Sequence, residues 1–285
     1  MTYISITGLI INNSSITINY EPHYNLEPPY NFPPNSKRGL VIGPTYGDDE
    51  LLIKPFDKGN IKWFYNYQTK VKGNIQSGIE FVPKIWGKAR IDKSYKNTNK
   101  SIMSFNEPFH KDQSNLSVAE IKLNWQSVRN MANGTRVGLV SLTGSSGNMK
   151  NQIDSLKGLS YDFIELHTFY NNINTLKSNI EAVYNHTKKP IWITEFNCHT
   201  YNNKGTYVFC TIDKQLEYMK SVLPYLEKTP YIEKYSWFTT EPYNLTSKNK
   251  ADPLVTFIDK GTYKGTYKLT STGEFYNNYV YKEGD

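Results

Sequence analysis

Long apolar runs are missing from this chain of 285 residues; nothing approaches the roughly 20 consecutive apolar residues that a membrane-spanning helix requires. A membrane partner is therefore not expected. The N-terminal stretch has neither a basic segment nor a continuous apolar core, so no secretory signal is evident. Secretion, release by lysis and association with a particle all stay open as locations. Cysteine is scarce: only Cys198 and Cys210 are present. With no CxxC pair they exclude a cysteine-based zinc site, and their spacing suits either a small disulfide loop or two free thiols. His199 follows Cys198 directly, and neighbours on a loop rarely face one another, which argues against a Cys–His nucleophile. Long basic runs are absent too. The net charge is +7 and the pI about 9.0, but the lysines are scattered as on a solvated surface, so nucleic acid is not an expected partner. Attraction to an acidic glycan is the other use of such a balance. No GxGxxG or GxxxxGK[ST] loop follows a strand-like run, so an open doubly wound sheet stays an alternative whose phosphate-binding use lacks support. No metal and no cofactor are expected.

Aromatic residues, by contrast, reach 14%, with 23 tyrosines. Their flat faces suit the axial C–H groups of a pyranose, although codon usage rich in Lys, Asn, Ile and Tyr gives the same excess. At 38% hydrophobic and 21% charged residues, the chain has enough apolar matter for one large core and lacks a disordered signature.

Residues 1–36 read as an extension. Ile4, Ile6, Ile16 and Ile18 alternate with polar neighbours around Asn12-Asn13-Ser14-Ser15, as in a hairpin. Glu27-Pro28-Pro29 and Phe32-Pro33-Pro34 then form an extended connector. Residues 37–285 read as one domain. Short apolar or β-branched runs recur at Gly39–Ile42, Ile61–Tyr65, Ile79–Ile85, Ile102–Asn106, Arg136–Leu142, Phe163–His167, Ile191–Glu195 and Tyr235–Thr239. Helix-compatible stretches separate them. Ser117–Asn130 opens with a capping box, and Leu176–Asn185 and Lys214–Tyr225 carry helical spacing. Strands alternating with helices imply βαβ units, and the number of runs predicts an α/β fold of the (β/α)8 TIM-barrel type with a short N-terminal hairpin and Pro-rich extension.

Two runs end in glutamate: Phe105-Asn106-Glu107-Pro108 and Trp192-Ile193-Thr194-Glu195-Phe196. A carboxylate where an apolar strand meets a polar loop is dry on one side and open to substrate on the other. Glu107 and Glu195 stand 88 residues apart across three strand intervals, about 29 per unit, close to the roughly 31 of a barrel of about 250 residues. Active groups of such barrels sit at the C-terminal strand ends, so the pair can face each other across the mouth. Cleavage of a glycosidic bond needs two carboxylates so placed, one to protonate the leaving oxygen and one to attack or to activate water.

Asn-Glu-Pro at the end of a fourth strand, with glutamate ending the seventh, resembles the arrangement of clan A glycoside hydrolases. More narrowly, the chain is similar to glycoside hydrolase family 128, whose members cleave β-1,3-glucans. The blocks that carry the resemblance run in order: Lys37-Arg38-Gly39, Trp63-Phe64-Tyr65-Asn66, Phe81-Val82-Pro83-Lys84-Ile85-Trp86-Gly87, Phe105-Asn106-Glu107-Pro108 and Gln113-Ser114-Asn115-Leu116-Ser117. They continue with Asp162-Phe163-Ile164-Glu165-Leu166-His167, Lys189-Pro190-Ile191-Trp192-Ile193-Thr194-Glu195-Phe196, Tyr235-Ser236-Trp237-Phe238 and Leu269-Thr270-Ser271-Thr272-Gly273. The resemblance implies a retaining endo-β-1,3-glucanase acting as a monomer on a β-glucan polysaccharide or oligosaccharide, with Glu107 as acid/base and Glu195 as nucleophile. The apolar neighbours Phe105 and Pro108, with anionic Glu195 nearby, are expected to raise the pKa of Glu107. Asn106 is placed to bond the sugar 2-OH if a bulge turns it inward.

Around the pair, Trp86 and Trp237 end the third and eighth runs, as stacking floors for sugar rings or as core. His167 and Tyr170 end the sixth, where a bond to the nucleophile or the substrate is expected, and Asn66 ends the second as a candidate for hydrogen bonding the sugar. Glu165 lies within a strand and is expected to face outward to a helix lysine. The chain departs from the family pattern at Phe109-His110, Thr168 and Asn197-Cys198, all at the substrate-facing rim. A lectin-like glycan-binding barrel and a clan A hydrolase of another β-glycan are the competing readings.

Overall fold

Strand-like runs with apolar side chains on both faces are stable only when both faces are covered, and here they close on themselves. The structure, a computed structural model, describes residues 6–12, 15–20, 29–43, 48–201, 203–241, 252–258 and 266–284. Eight strands form one parallel sheet: β1 (Arg38–Val41), β2 (Trp63–Tyr65), β3 (Glu80–Phe81), β4 (Ser101–Ile102), β5 (Arg136–Leu142), β6 (Phe163–Phe169), β7 (Ile191–Asn197) and β8 (Ile232–Trp237). Their order is β3-β2-β1-β8-β7-β6-β5-β4. A parallel bridge between Lys84 and Met103 joins the two ends, so the sheet is a closed (β/α)8 barrel.

The helices are α1 (Asp49–Ile53), α2 (Val118–Ala132), α3 (Ser146–Ser155), α4 (Ile173–Thr187), α5 (Ile212–Lys228) and α6 (Ser271–Asn278). The capping box read in the sequence starts α2: Ser117 accepts from the Glu120 amide while Glu120 reaches back to the Ser117 amide. Lys188 in the left-handed region ends α4 ahead of Pro190. Among the described residues, β2 and β3 are followed by loops and one 3-10 turn (Lys88–Arg90) in place of α-helices. No helix among these residues is long and apolar enough to cross a membrane.

Alternation along each strand sorts side chains into two apolar clusters. The larger lies between strands and helices, with Leu139, Val140, Leu166, Ile193 and Trp237. The smaller fills the barrel: Val41, Trp63, Tyr65, Val82, Met103, Phe163 and Trp192. Bulky rings enter because glycines opposite them make room. A Cβ on Gly39 would meet the Trp63 indole at 2.2 Å, and one on Gly138 would meet the Phe163 ring at 2.6 Å.

The barrel floor is ionic. Arg136 and Glu233 make two hydrogen bonds, at 2.6 and 2.7 Å, and Glu233 also accepts from the Trp192 indole at 2.8 Å. Lys234 pairs with Glu80 at 2.9 Å and lies over the Trp63 and Trp192 rings.

The N-terminal hairpin forms as read, Ile6–Asn12 pairing antiparallel with Ser15–Tyr20; its Asn13-Ser14 turn and the Glu27-Pro28 part of the connector lie outside the described residues. Farther along the connector, Tyr30 is buried and donates to the Lys188 carbonyl at 3.0 Å.

Cutting one half of the Arg136–Glu233 pair strands a mostly buried charge. Glu233→Ala is expected to destabilise the barrel by about 3 kcal/mol or more, read as a fall in the denaturant midpoint at unchanged slope.

Candidate active site

The site depends on one extra residue in β7. Against both neighbouring strands the register slips at this point: Leu166 faces Ile193 but His167 faces Glu195, and Tyr235 faces Ile193 but Trp237 faces Phe196. Strict alternation from inward Trp192 would send Glu195 outward to the helices. The bulge at Thr194 restores it to the interior, and the Thr194 carbonyl accepts from Tyr65 at 3.2 Å and from Ser236 at 2.5 Å. A second irregularity serves Glu107, whose φ of 38° lies in the left-handed region that non-glycine residues rarely adopt. It lies five residues beyond the end of β4 and turns the chain into the loop of Pro108.

These two devices bring Glu107 and Glu195 to opposite sides of one imidazole. His167 Nδ1 contacts Glu107 Oε1 at 2.5 Å, and its Nε2 stands 3.4 Å from Glu195 Oε1. One ligand atom from each of the three residues lies within 4.8 Å of the other two. Such a trio invites a metal reading, yet the imidazole turns a different nitrogen toward each carboxylate, which does not suit one shared ion. Glu195 Oε1 also accepts from Tyr67 at 2.6 Å and from Tyr65 at 3.2 Å. Burial and the Glu195 charge push both phenols well above their ordinary value, so they stay protonated donors.

The titration pattern differs from the sequence expectation at Glu107. Burial pushes its carboxyl up, but the hydrogen bond and charge of His167 outweigh that and hold it below the ordinary value. Glu195 is raised, by burial first and by the charge of Glu107 next, against the opposing pull of His167 and Tyr67. For His167, burial favours the neutral ring, but Glu195 and Glu107 together raise it. These directions favour a proton on the imidazole, between two carboxylates.

Other predicted site residues separate into those at the mouth and those that are not. Trp86 is half-buried, and its carbonyl holds the Asn106 amide at 2.9 Å. Asn106 is buried; its amide donates to Gln113 at 3.1 Å, and its Oδ1 has no partner. Tyr170 donates to the Gly144 carbonyl at 2.6 Å and lines, with His167, Phe169, His199 and Tyr207, a cavity of about 390 Å³ beside the trio. Asn66 turns away: it is buried and holds the β2 loop, donating to Asp49 at 2.7 Å and to the Lys70 carbonyl at 2.9 Å.

Trp237 needs correction as a stacking floor. It is fully buried in the outer cluster, donates to the Asp252 carbonyl and packs edge-on against Phe196. Alternation puts the next residue, Phe238, on the inner side, half-buried against Tyr67's cluster. Glu165 is corrected too: it faces into the barrel and pairs with Lys84. The cysteines form a disulfide, which closes the hairpin His199–Tyr201/Tyr207–Phe209 beside β7. Sequence reasoning missed Tyr65, Tyr67 and Phe238, although Trp63-x-Tyr65-x-Tyr67 is a period-two aromatic face that points one way.

Comparison with known proteins agrees with this architecture. The family model described as glycosyl hydrolase catalytic core matches residues 39–276. Alkali-sensitive linkage protein 1 of Schizosaccharomyces pombe is 24% identical over 212 residues, covering 72% of this chain and 39% of that protein; the chain spans about two fifths of the length of that relative. A GH128 subgroup I endo-β-1,3-glucanase from Amycolatopsis mediterranei, a mutant in complex with laminarihexaose, superposes with TM-score 0.66 at 24% identity over 85% of this chain and 98% of its own. A GH128 subgroup VII oligosaccharide-binding protein from Cryptococcus neoformans gives TM-score 0.64 at 22% identity over 85% and 93%.

Tyr67 is the shortest donor to Glu195, and a hydrogen bond to a charged group contributes about 1.5–3 kcal/mol. Tyr67→Phe is therefore expected to raise the Glu195 titration by about one to two pH units, followed through its side-chain carboxyl carbon by NMR.

Proposed function

The chain belongs to the glycosyl hydrolase catalytic core family, and on that premise we propose that it is a retaining endo-β-1,3-glucanase. Residues 37–285 form its catalytic unit, residues 1–36 are an appended hairpin and connector, and the enzyme works as a monomer. The observation that carries the reading is the approach of the two carboxylates, with oxygens of Glu107 and Glu195 within 4.8 Å. Retaining enzymes hold their carboxyl groups about 5–5.5 Å apart, whereas inverting ones leave roughly 6.5–9.5 Å for a water.

Glu195 is the nucleophile. Its carboxylate attacks the anomeric carbon as the bond to the glycosidic oxygen breaks, giving a covalent glycosyl-enzyme. The phenols of Tyr65 and Tyr67 orient it and stabilise its charge before attack. Glu107 is the acid/base. It passes a proton to the leaving oxygen and draws one from His167 Nδ1 across their short contact. In the second half it takes a proton from water, which attacks the same carbon and releases Glu195 with the β configuration restored. Asn106 Oδ1, buried and unpartnered, accepts from the sugar 2-OH. His167 and Tyr170 line the groove that receives the chain; Trp86 and Phe238 offer aromatic surface at the mouth.

The pH profile follows from the trio. Activity requires Glu195 ionised, and its raised titration puts the acid limb above the usual glutamate value. Activity also requires the shared proton, and the raised imidazole puts its loss above the usual histidine value. His167→Ala is expected to bring the alkaline limb down as it removes that store.

A binding-only barrel is the second reading, because the fold also serves an oligosaccharide-binding protein. A pure binder has no need of two carboxylates tuned against each other. The deciding experiment is laminarin digestion with a reducing-end assay and NMR of the first anomer formed. The parent is expected to release β products, and Glu195→Ala to lose at least about 10³-fold in kcat with its fold intact. Laminari-oligosaccharide binding without release, other β-glucans also untouched, would leave the binding barrel standing instead.

A further inference from the structure

A fully buried ion pair lies one pleat beneath the catalytic trio, and the hydrolytic mechanism does not use it. Lys84 and Glu165 are both 0% exposed, with Nζ 2.7 Å from Oε2. Lys84 also donates to Ser141 Oγ at 2.6 Å, and Ser141 donates to the same Glu165 oxygen at 2.8 Å. The other Glu165 oxygen accepts the Ser104 amide at 2.9 Å. Four strand segments converge here. Lys84 follows β3, Ser104 follows β4, Ser141 is in β5 behind a register slip that turns it inward, and Glu165 is in β6. Two ions stripped of water are costly, and an apolar pair of similar volume often serves stability as well or better. Filling the barrel does not account for them.

Their neighbours suggest a use. Glu165 is two residues before His167 on the same face of β6, and Ser104 is two residues before Asn106. Lys84 Nζ lies 5.8 Å from the centroid of the Tyr65 ring, whose hydroxyl bonds Glu195. The titratable groups around the ammonium are therefore Tyr65 from β2, Glu107 beyond β4, Glu165 and His167 from β6 and Glu195 from β7.

We propose that Lys84 is a positioning residue whose fixed positive charge holds the Glu107–His167–Glu195 trio in its singly protonated form, with Glu165 and Ser141 fixing the ammonium in place. This rests on the hydrolase reading of the site. The positive charge favours the ionised form of each glutamate and opposes a second proton on the trio, so it keeps Glu195 ready to attack. It acts in the same direction on all three groups, whereas a purely mechanical support would have no common sign.

The test is an NMR titration of the substrate-free protein, following the carboxyl carbons of Glu107 and Glu195 and the ring nitrogens of His167. The parent and the single variant Glu165→Gln, which keeps the ammonium, are each compared with the charge-free double variant Lys84→Met/Glu165→Gln. All three titrations are expected to move to higher pH, that of Glu195 by about one unit, and the acid limb of kcat/KM to move with it. If that variant does not melt cooperatively, Lys84→Gln/Glu165→Gln removes the same charges while keeping hydrogen-bonding side chains. Midpoints in the double variant that stay where Glu165→Gln has them, or that fall below those, overturn the proposal. The titration needs no turnover, so a protein that leaves laminarin intact fails the hydrolase reading while the role of Lys84 is still decided.

Discussion

Everything at this site follows from the requirement that Trp192 and Glu195 both face into the barrel. Residues three apart on a regular strand point to opposite sides, so one of the two would have to be lost to the helices. The extra residue at Thr194 resolves the conflict, and β7 slips against both of its neighbours in the same place. Below the bulge, the indole packs on Phe163 with ring centroids 3.7 Å apart. Above it, the carboxylate meets His167 and two phenols. The bulge costs regular ladder pairing but exposes the Thr194 carbonyl inward, where Tyr65 and Ser236 satisfy it.

A barrel of this size is filled by side chains, and here an unusual share of the filling is charged. Arg136, Glu233, Lys234 and Glu80 lie at the floor, Lys84 and Glu165 above them, and the trio at the mouth. Each lower ion is paired and most remaining donors are bonded, which is what burial of charge demands. Only at the mouth is the balance left open. Two carboxylates share one imidazole, and the acid of the proposed mechanism is held ionised until a leaving oxygen competes for the proton. That arrangement changes the usual account of such a pair: the dry surroundings alone would keep Glu107 protonated, but a base at 2.5 Å stores the proton next door.

Much of this was legible in the chain. Strand ends, the Ser117–Glu120 capping box, the barrel spacing and the two glutamates are local or periodic signals, and local signals survive folding because they do not depend on partners far away. What escaped depends on parity and on distant contacts. Trp237 looked like the aromatic at the eighth strand end, yet one step of alternation moves that place to Phe238. Glu165 looked outward because a charged residue within an apolar strand usually is. Its partner Lys84 is 81 residues away, and no local pattern announces the match. Asn66 was read as a sugar ligand on position alone, whereas its amide is already committed to Asp49 and the Lys70 carbonyl. The pKa of Glu107 was missed for the same reason, since only the fold puts His167 beside it.

In sequence, Asn197-Cys198 stands out as a departure from the family pattern, and the structure shows what these two residues hold. Asn197 donates to the Phe238 carbonyl at 2.5 Å, and its Oδ1 accepts the Cys198 amide at 2.6 Å. It thereby ties the end of β7 to the aromatic of β8. Cys198 then anchors a hairpin whose His199 stacks on Phe169 at 4.7 Å and meets Tyr207 and Phe209 edge-on. Burial holds that imidazole neutral, with its titration pushed down to about 4. The side of the groove formed by Phe169, His199 and Tyr207 is therefore aromatic and uncharged near neutral pH. Such a wall suits a neutral sugar face better than an acidic glycan.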